Sequence, residues 1–567
     1  MKETMNEKDK KIFSRNKVVI LSLTTVLVLL IFRLYAIQVI DNDKYLSLKE
    51  KQIKSIMDNT FHRGSIYASE GEILAISKKV SSVYVDPTLL ENKENTAIKL
   101  ASILSLSYSD VLAHIVGQNS GDNGSKPTKF IWIKRRISDE EAEKIKSLNI
   151  DGVRLKTEFK RMYPYNTLAS HIIGFVDIDG KGLGGIEYFL NKLLAPNEIL
   201  SDVIIDGRRN IISGNDTNEN FFNIYLTINL ALQQIVDEEI DIAQKKWHAK
   251  SISCVATNPV TGEVLAMSNI AAFDPNNPQI APISFKKNIA ITDPYEPGSS
   301  MKPFTASTAL EEGICYPSMT FNCEHGTFKV GSRTIHDHKP FDILSFAEVI
   351  SHSSNIGAVK IGLLVGQDKL YSYIKNFGFG EKTKIQLPGE SPGRVQPANQ
   401  WNLYTLTSVP IGYEITATPL QLVTAFSAIV NGGNLMKPYI ISKITNTNNE
   451  LIFEGKPELV RRVISKKTSD TMKEILVDVV EEGTASRAKI KGLKWGGKTG
   501  TTRKYDPLTK GYSEKKYTAT FIGFAPADNP KLCIIITIDE PCGGYYGGDV
   551  SAPVVSKIIN RALPLLK

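Results

Sequence analysis

The sequence predicts an α+β protein with an antiparallel sheet and a helical region, preceded by a smaller domain and by one transmembrane helix. Three observations carry that expectation. Residues 18–32 (VVILSLTTVLVLLIF) are uncharged and strongly apolar, and after Arg33 the stretch resumes through Ile40; a bilayer core takes about 20 helical residues. Downstream, helix, strands, a long run of helices, then strands and a closing helix follow one another in blocks, not in the alternation of a parallel sheet. A polar, turn-rich stretch at 212–223 (ISGNDTNENFFN) marks a domain boundary.

Taken in order, Lys8, Lys10, Lys11, Arg15 and Lys17 precede the apolar span and keep the N-terminus cytoplasmic. Arg33 lies near one end, where its long side chain reaches the headgroups. No small-x-small cleavage site follows, so the span reads as an uncleaved anchor, and no second long apolar stretch appears. The expected organisation is a tail at 1–17, the anchor at 18–40, a first extracytoplasmic domain at 41–215 and a larger one at 216–567. Within the first, residues 62–75 suggest short strands around a turn, and 117–129 (GQNSGDNGSKPTK) is a surface loop. Within the second, 224–228 reads as a strand and 230–246 as an amphipathic helix. Residues 253–258 and 264–267 flank the turn PVTGE as a hairpin. Helices alternate with loops to about 485. Residues 517–525 and 531–539 are β-rich around PADNP, and 554–566 closes the chain as a helix.

Composition excludes several classes. With 42% apolar and 23% charged residues the chain is globular, not disordered. The net charge is +8, and the first 17 positions, with six basic and three acidic residues, hold +3 of it. The remainder is spread thinly, so no nucleic-acid partner is expected. Cys254, Cys315, Cys323, Cys533 and Cys542 show no metal-ligand spacing, and neither a metal nor a cofactor is expected. Spacing alone leaves a Cys315–Cys323 pairing open beside the blander reading of buried free thiols.

The chemistry concentrates in three segments. In Glu296-Pro297-Gly298-Ser299-Ser300-Met301-Lys302-Pro303, the turn and the first-turn proline place Ser299 at a helix N-terminus. Lys302, three residues on, shares its face and comes within reach of the hydroxyl. A serine alcohol needs such a base, and a lysine serves once its pKa falls toward neutrality. The second segment is Ser351-His352-Ser353-Ser354-Asn355. The third, Gly496-Gly497-Lys498-Thr499-Gly500-Thr501-Thr502, offers a cation and hydroxyls for a carboxylate, with glycines leaving room for a substrate backbone. His352 reads as a helix neighbour, Thr484 as structural, and Asn355 without its companions as a helix cap.

S-x-x-K, S-x-N and K-T-G in this order mark penicillin-binding proteins and class A β-lactamases, the latter with Asp where Ser354 stands. The sequence resembles class B penicillin-binding proteins over nearly its whole length. Arg33-Leu34-Tyr35 and Ile37-Gln38-Val39 are similar to that family's anchor. Arg63-Gly64-Ser65-Ile66, Arg161-Met162-Tyr163-Pro164, His171-Ile172-Ile173-Gly174 and Gly184-Gly185-Ile186-Glu187 resemble motifs of its pedestal domain. Residues 174–187, 521–530 and 545–553 look most like the division-specific FtsI type. Two departures stand out: Tyr67-Ala68-Ser69-Glu70-Gly71 where the family carries Asp-Arg-Asn-Gly, and Asn229 where it carries Asp.

The resemblance implies a penicillin-binding, serine β-lactamase-like transpeptidase domain on a pedestal, acting on D-Ala–D-Ala stem peptides during septal wall synthesis. It implies Ser299 as nucleophile, Lys302 as base, and Ser353, Asn355 and Lys498 as further catalytic groups. Thr499, Gly500 and Thr501 would bind substrate, with the backbone amides of Ser299 and Thr501 as oxyanion hole. It further implies β-lactams as inhibitors, and a polytopic lipid-linked glycan polymerase and other divisome membrane proteins as partners. A β-lactamase is disfavoured because no Glu-x-x-Leu-Asn string lies between Asn355 and Lys498. A carboxypeptidase differs only in its acceptor, an elongation-type enzyme only in its location, and a scaffold with a vestigial site is disfavoured by the intact trio.

Overall fold

The computed structural model describes residues 7–42, 44, 62–117, 129–195, 204–205, 211–213 and 221–566. Two units are distinguished, Met1–Thr60 with Ile199–Asn218, and Phe61–Glu198 with Glu219–Lys567. In the first, helix Glu7–Tyr35 continues as a wider turn, Ala36–Ile40. Its stretch Asn16–Ile40 has mean hydropathy 2.4 and no buried share, as befits a helix whose apolar surface is satisfied by lipid. The hydroxyls of Ser22, Thr24 and Thr25 bond carbonyls three or four residues back at 2.7–2.9 Å, so these groups meet hydrocarbon already paired. The same unit holds a short hairpin, Ile204–Ile205 with Ile211–Ser213.

The second unit is built on two sheets. The first sheet has five antiparallel strands in the order Gly496–Asp506, Gly511–Ala525, Leu532–Asp539, Ser251–Thr257, Val264–Ile270. Helices Leu230–Trp247 and Ala552–Ala562 pack together against it, and helix Pro419–Val430 also packs on its strands. Helix Leu230–Trp247 starts where the Asn229 side chain accepts from the Leu232 amide at 2.9 Å, and it stops at His248 in a left-handed conformation. Its Leu232, Val236, Ile240 and Ala243, at four- and three-residue steps, form the buried stripe that the period-3.6 pattern predicts.

The second sheet joins the two expected domains. Strand Ile66–Tyr67 pairs in parallel with Asn223–Leu226, which pairs on its other side with Ile441–Thr445; strands Ile73–Val85, Ile131–Ile137 and Val153–Met162 extend it. One core follows, in which Ile66, Leu74, Ile172 and Ile186 are continuous with Ile224, Leu226 and Val255. A separate small core, with Val83, Leu100, Ile115, Ile131 and Ile145, lies beneath helices Lys93–Leu104, Tyr108–Gly117 and Asp139–Ser147. Below it, the Glu187 carboxylate is fully buried and takes Arg63 and Arg161, each at 2.6 Å. The boundary expected at 215/216 and most of the loop at 117–129 lie outside the described residues.

Most predicted elements are present. The differences lie between 316 and 465, where alternating helices and loops were expected. Four short strand pairs stand there: Thr320–Asn322 with Ile343–Ser345, Thr327–Val330 with Arg333–His336, Asn434–Met436 with Leu459–Arg462, and Ile441–Thr445 with Leu451–Glu454. Strands of three to five residues are too short to display a period of two. Cys315 and Cys323 are buried free thiols.

Candidate active site

Three segments, separated by 50 to 150 positions, meet at one place. Gly298–Met301 forms one 3-10 turn, and helix Lys302–Glu311 follows with Pro303 in its first turn, where an amide hydrogen has no intrahelical partner. That helix is buried from Lys302 to Ala309, so its position in the core carries the lysine side chain out of water. Gly298 has φ +55°, and a Cβ there would lie 2.3 Å from Thr502 Oγ1. Only glycine lets the Ser299 turn press against strand Gly496–Asp506.

The second segment begins where helix Phe346–Ser351 ends. Ser353 takes φ 62°, unusual for a residue other than glycine, and costs about 1 kcal/mol or more that the surrounding contacts must offset. Ser354 then caps helix Asn355–Val365, its hydroxyl accepting the Gly357 amide at 2.9 Å. Asn355 is therefore the first helical residue and not its cap. Its amide side chain points elsewhere, donating to His336 O at 2.8 Å and accepting from Lys302. The third segment is the outer strand Gly496–Asp506. Gly496 and Gly497 serve packing inside the sheet rather than a substrate: added Cβ atoms would meet Phe524 Cε1 at 2.7 Å and Ile522 O at 2.4 Å.

Lys302 Nζ donates to Ser353 O at 2.6 Å, Asn355 Oδ1 at 2.8 Å and Ser353 Oγ at 3.1 Å. Lys498 Nζ reaches the same Ser353 hydroxyl at 2.9 Å and Thr499 Oγ1 at 3.3 Å. Both lysines are 0% exposed. Burial drives the Lys302 ammonium down to about 7, the Asp337 carboxylate opposing that shift. Burial pushes Lys498 well below its ordinary value, and the Lys302 cation pushes the same way. Two buried amines on one hydroxyl thus hold fewer than two protons near neutrality. The expected contact between Lys302 and the Ser299 hydroxyl is not made here: the three ammonium hydrogens are committed to Ser353 and Asn355.

Around this centre, Thr499 Oγ1 lies 2.8 Å from Thr484 Oγ1, and Thr501 Oγ1 accepts the Gly547 amide at 3.0 Å. Gly500 faces the nucleophile turn, where an added Cβ would lie 3.1 Å from Pro297 O. His352 stays out of the network, stacked on Phe341 with ring centroids 5.8 Å apart. Two carboxylates escaped the sequence reading. Asp337 accepts the Ser354 hydroxyl at 2.6 Å, the Ile356 amide at 3.1 Å and the Asn355 amide, so it anchors the whole second segment. Its only signal is a polar run, His336–Lys339, which any surface turn resembles. Glu296 takes Tyr512 Oη at 3.0 Å and the Glu414 amide at 2.9 Å, tying the Ser299 turn to strand Gly511–Ala525. A cavity of about 620 Å³, lined in part by Glu296, Glu414, Thr502 and Arg503, lies alongside.

Comparison with known proteins gives a consistent picture. The pattern described as penicillin binding protein transpeptidase domain matches residues 252–560, and that described as penicillin-binding protein dimerisation domain matches 59–220. The chain is 33% identical over 563 residues to stage V sporulation protein D of Bacillus subtilis, covering 97% of this chain and 86% of that one. It is 30% identical over 548 residues to the peptidoglycan D,D-transpeptidase FtsI of Escherichia coli, covering 95% and 89%. The crystal structure of penicillin binding protein 3 from Mycobacterium tuberculosis in complex with aztreonam superposes with TM-score 0.68 at 26% identity, covering 89% of this chain and 96% of that one.

Proposed function

The chain belongs to the penicillin-binding protein family of peptidoglycan D,D-transpeptidases, and from that premise we infer how its site works. The protein cross-links stem peptides through a serine acyl-enzyme. The observation that carries the assignment of roles is the network in which Ser353 Oγ takes Lys498 at 2.9 Å and Lys302 at 3.1 Å while Lys302 reaches Asn355 at 2.8 Å.

Ser299 attacks the penultimate D-Ala carbonyl, and Lys302 takes its proton. An ammonium spends three hydrogens on three acceptors, whereas a neutral amine has two hydrogens and a lone pair. Losing one proton therefore breaks one of these three bonds and leaves a lone pair for Ser299, while the two remaining hydrogens still hold Ser353 and Asn355. The substrate's terminal carboxylate binds Lys498, Thr499 and Thr501, with Gly500 leaving room beside the nucleophile turn. Its negative charge raises the proton affinity of Lys498; the resulting cation lowers that of Lys302 and readies the base as substrate arrives. Ser353, touching both amines, passes a proton to the leaving D-Ala amine, and Asn355 holds the substrate amide. The backbone amides of Ser299 and Thr501 receive the oxyanion, a donor of this kind contributing about 3–4 kcal/mol. An amine of a second stem peptide resolves the acyl-enzyme.

The helix Asn16–Ile40 anchors the protein in the cytoplasmic membrane, with the tail inside and the catalytic unit outside. The FtsI relatives favour the division septum, with a polytopic glycan polymerase and divisome membrane proteins as partners. The sporulation relative favours a second reading, action at the sporulation septum. A fluorescent fusion at every vegetative septum supports the first; one absent from vegetative septa sinks it.

The test of the chemistry is covalent labelling. The full chain in detergent, incubated with a fluorescent penicillin, gains one adduct by intact mass, and Ser299→Ala gains none. Absence of an adduct on folded wild-type protein overturns the acyl-enzyme.

A further inference from the structure

The pedestal carries a face that catalysis does not use. Strands Ile73–Val85, Ile131–Ile137 and Val153–Met162 turn one side toward the small core, through Val83, Val85, Ile131 and Ile133. On the opposite side Tyr84, Phe130 and Trp132 form one aromatic cluster: Tyr84 stacks on Phe130 at 4.4 Å between centroids, and Trp132 meets Phe130 edge-on at 4.8 Å. All three are half-buried, not sealed in.

Cations surround the rings. The strand register sets Arg154 beside Tyr84, Lys156 beside Ser82 and Lys160 beside Lys78. Lys156 Nζ sits 5.6 Å from the Phe130 ring centre and 5.7 Å from that of Trp132, with the Arg135 guanidinium 5.1 Å from Trp132. Two carboxylates meet Arg135: Glu158, 1% exposed, at 2.6 Å and also bonded by the Ser82 hydroxyl, and the exposed Asp179 at 2.7 Å, so Arg135 is neutralised and the remaining charge rests on Lys78, Arg154 and Lys160. Lys78, Arg154 and Lys160 are exposed and make no ion pair among the described residues. Through Lys78, Arg154 and Lys160 the face is thus positive beside its aromatic cluster, and these three charges form no ion pair that holds the described fold.

Resting on the assigned transpeptidase activity, we propose that this face binds the peptidoglycan strand itself, holding the polymer while its stem peptides visit Ser299. Charge and shape favour this occupant. The polymer carries peptide carboxylates, the group the catalytic cleft also receives through Lys498, and its sugar rings present C–H faces to aromatic edges. A cationic sheet face with rings along it complements both. An anionic lipid surface would share the charge and also accept aromatic rings at headgroup level, and it is the rival that the vesicle arm tests.

The test uses the full chain in neutral detergent micelles, with Ser299 first acylated by fluorescent penicillin so that the cleft is closed to stem peptides. Purified sacculi stripped of phosphate-bearing polymers are the probe, and co-sedimentation is read by fluorescence. Wild type is expected in the pellet, and the double variant Arg154→Glu/Lys160→Glu at least five-fold less so. Lys99→Glu/Lys329→Glu, the same charge change on other exposed lysines, should pellet as wild type. Equal penicillin labelling of all three proteins shows that the fold and the acyl-enzyme are intact, so a failure here stands apart from a failure of the transpeptidase reading. Wild-type protein left in the supernatant overturns the proposal, as does a double variant that pellets fully or a control pair that loses binding equally. Capture by phosphatidylglycerol vesicles with none by sacculi assigns the face to lipid and overturns it too.

Discussion

At the scale of the residue, the decisive feature is an amine shared between positions that sequence cannot pair. The spacing of Ser299 and Lys302 was legible because helical geometry brings residues three apart onto one face. That Lys302 would spend its hydrogens on Ser353 and Asn355, more than 50 positions away, was not. Its proton is held with a pKa near 7, below the ordinary lysine range, so penicillin acylation is expected to rise with pH through about 7 and then level off. Lys302→Arg, which cannot lose a proton near neutrality, should acylate at least about a thousand-fold more slowly at every pH, by stopped-flow labelling. Stability carries the same sign. Between the folded value near 7 and the unfolded value near 10.5, the unfolded chain binds more protons, so folding strengthens as pH rises across that window. Lys302→Met should flatten the rise in Tm between pH 7 and 9.

Among the elements, the turn between helices Phe346–Ser351 and Asn355–Val365 depends on a single carboxylate. Asp337 satisfies amides at the start of the second helix and the Ser354 hydroxyl, and so holds Ser353 between the two lysines. Asp337→Asn is expected to slow acylation about ten- to a hundred-fold. Because the carboxylate raises the Lys302 pKa, its removal should also move the midpoint of the pH–rate profile to lower pH. A merely structural role would lower the rate and leave the midpoint in place. Sequence reading found the long elements here, such as helix Leu230–Trp247, because three or more turns display a period. It missed the strand pair Thr327–Val330 with Arg333–His336, whose end places Asp337, because four residues do not.

For the whole molecule, the parallel pairing of Ile66–Tyr67 with Asn223–Leu226 makes the pedestal and the catalytic body share one sheet and one core. Sequence marks two domains, but a polar stretch shows where the chain turns and not which strands pair across it. His171 adds a second link: its ring is 6% exposed and Nε2 lies 2.8 Å from Phe285 O. Burial lowers its pKa to about 4. Between that value and the unfolded 6.5 the unfolded chain binds more protons, so the neutral ring's contribution is full above about pH 6.5 and fades as pH falls toward 4. Scanning calorimetry should show pedestal and catalytic body melting together, with a Tm that falls between pH 6.5 and 4.5 and falls less in His171→Gln. Two well-separated transitions would contradict the shared core.

That shared sheet also has a mechanical consequence. On the proposed function the protein is a tether, held in the lipid by its apolar helix and joined to the wall polymer whenever Ser299 carries an acyl group. A pull between them would load the parallel pairing of Ile66–Tyr67 with Asn223–Leu226. Their hydrogen bonds lie across the strands, so they bear such a pull together as a lap joint does, and do not open one after another like a zip.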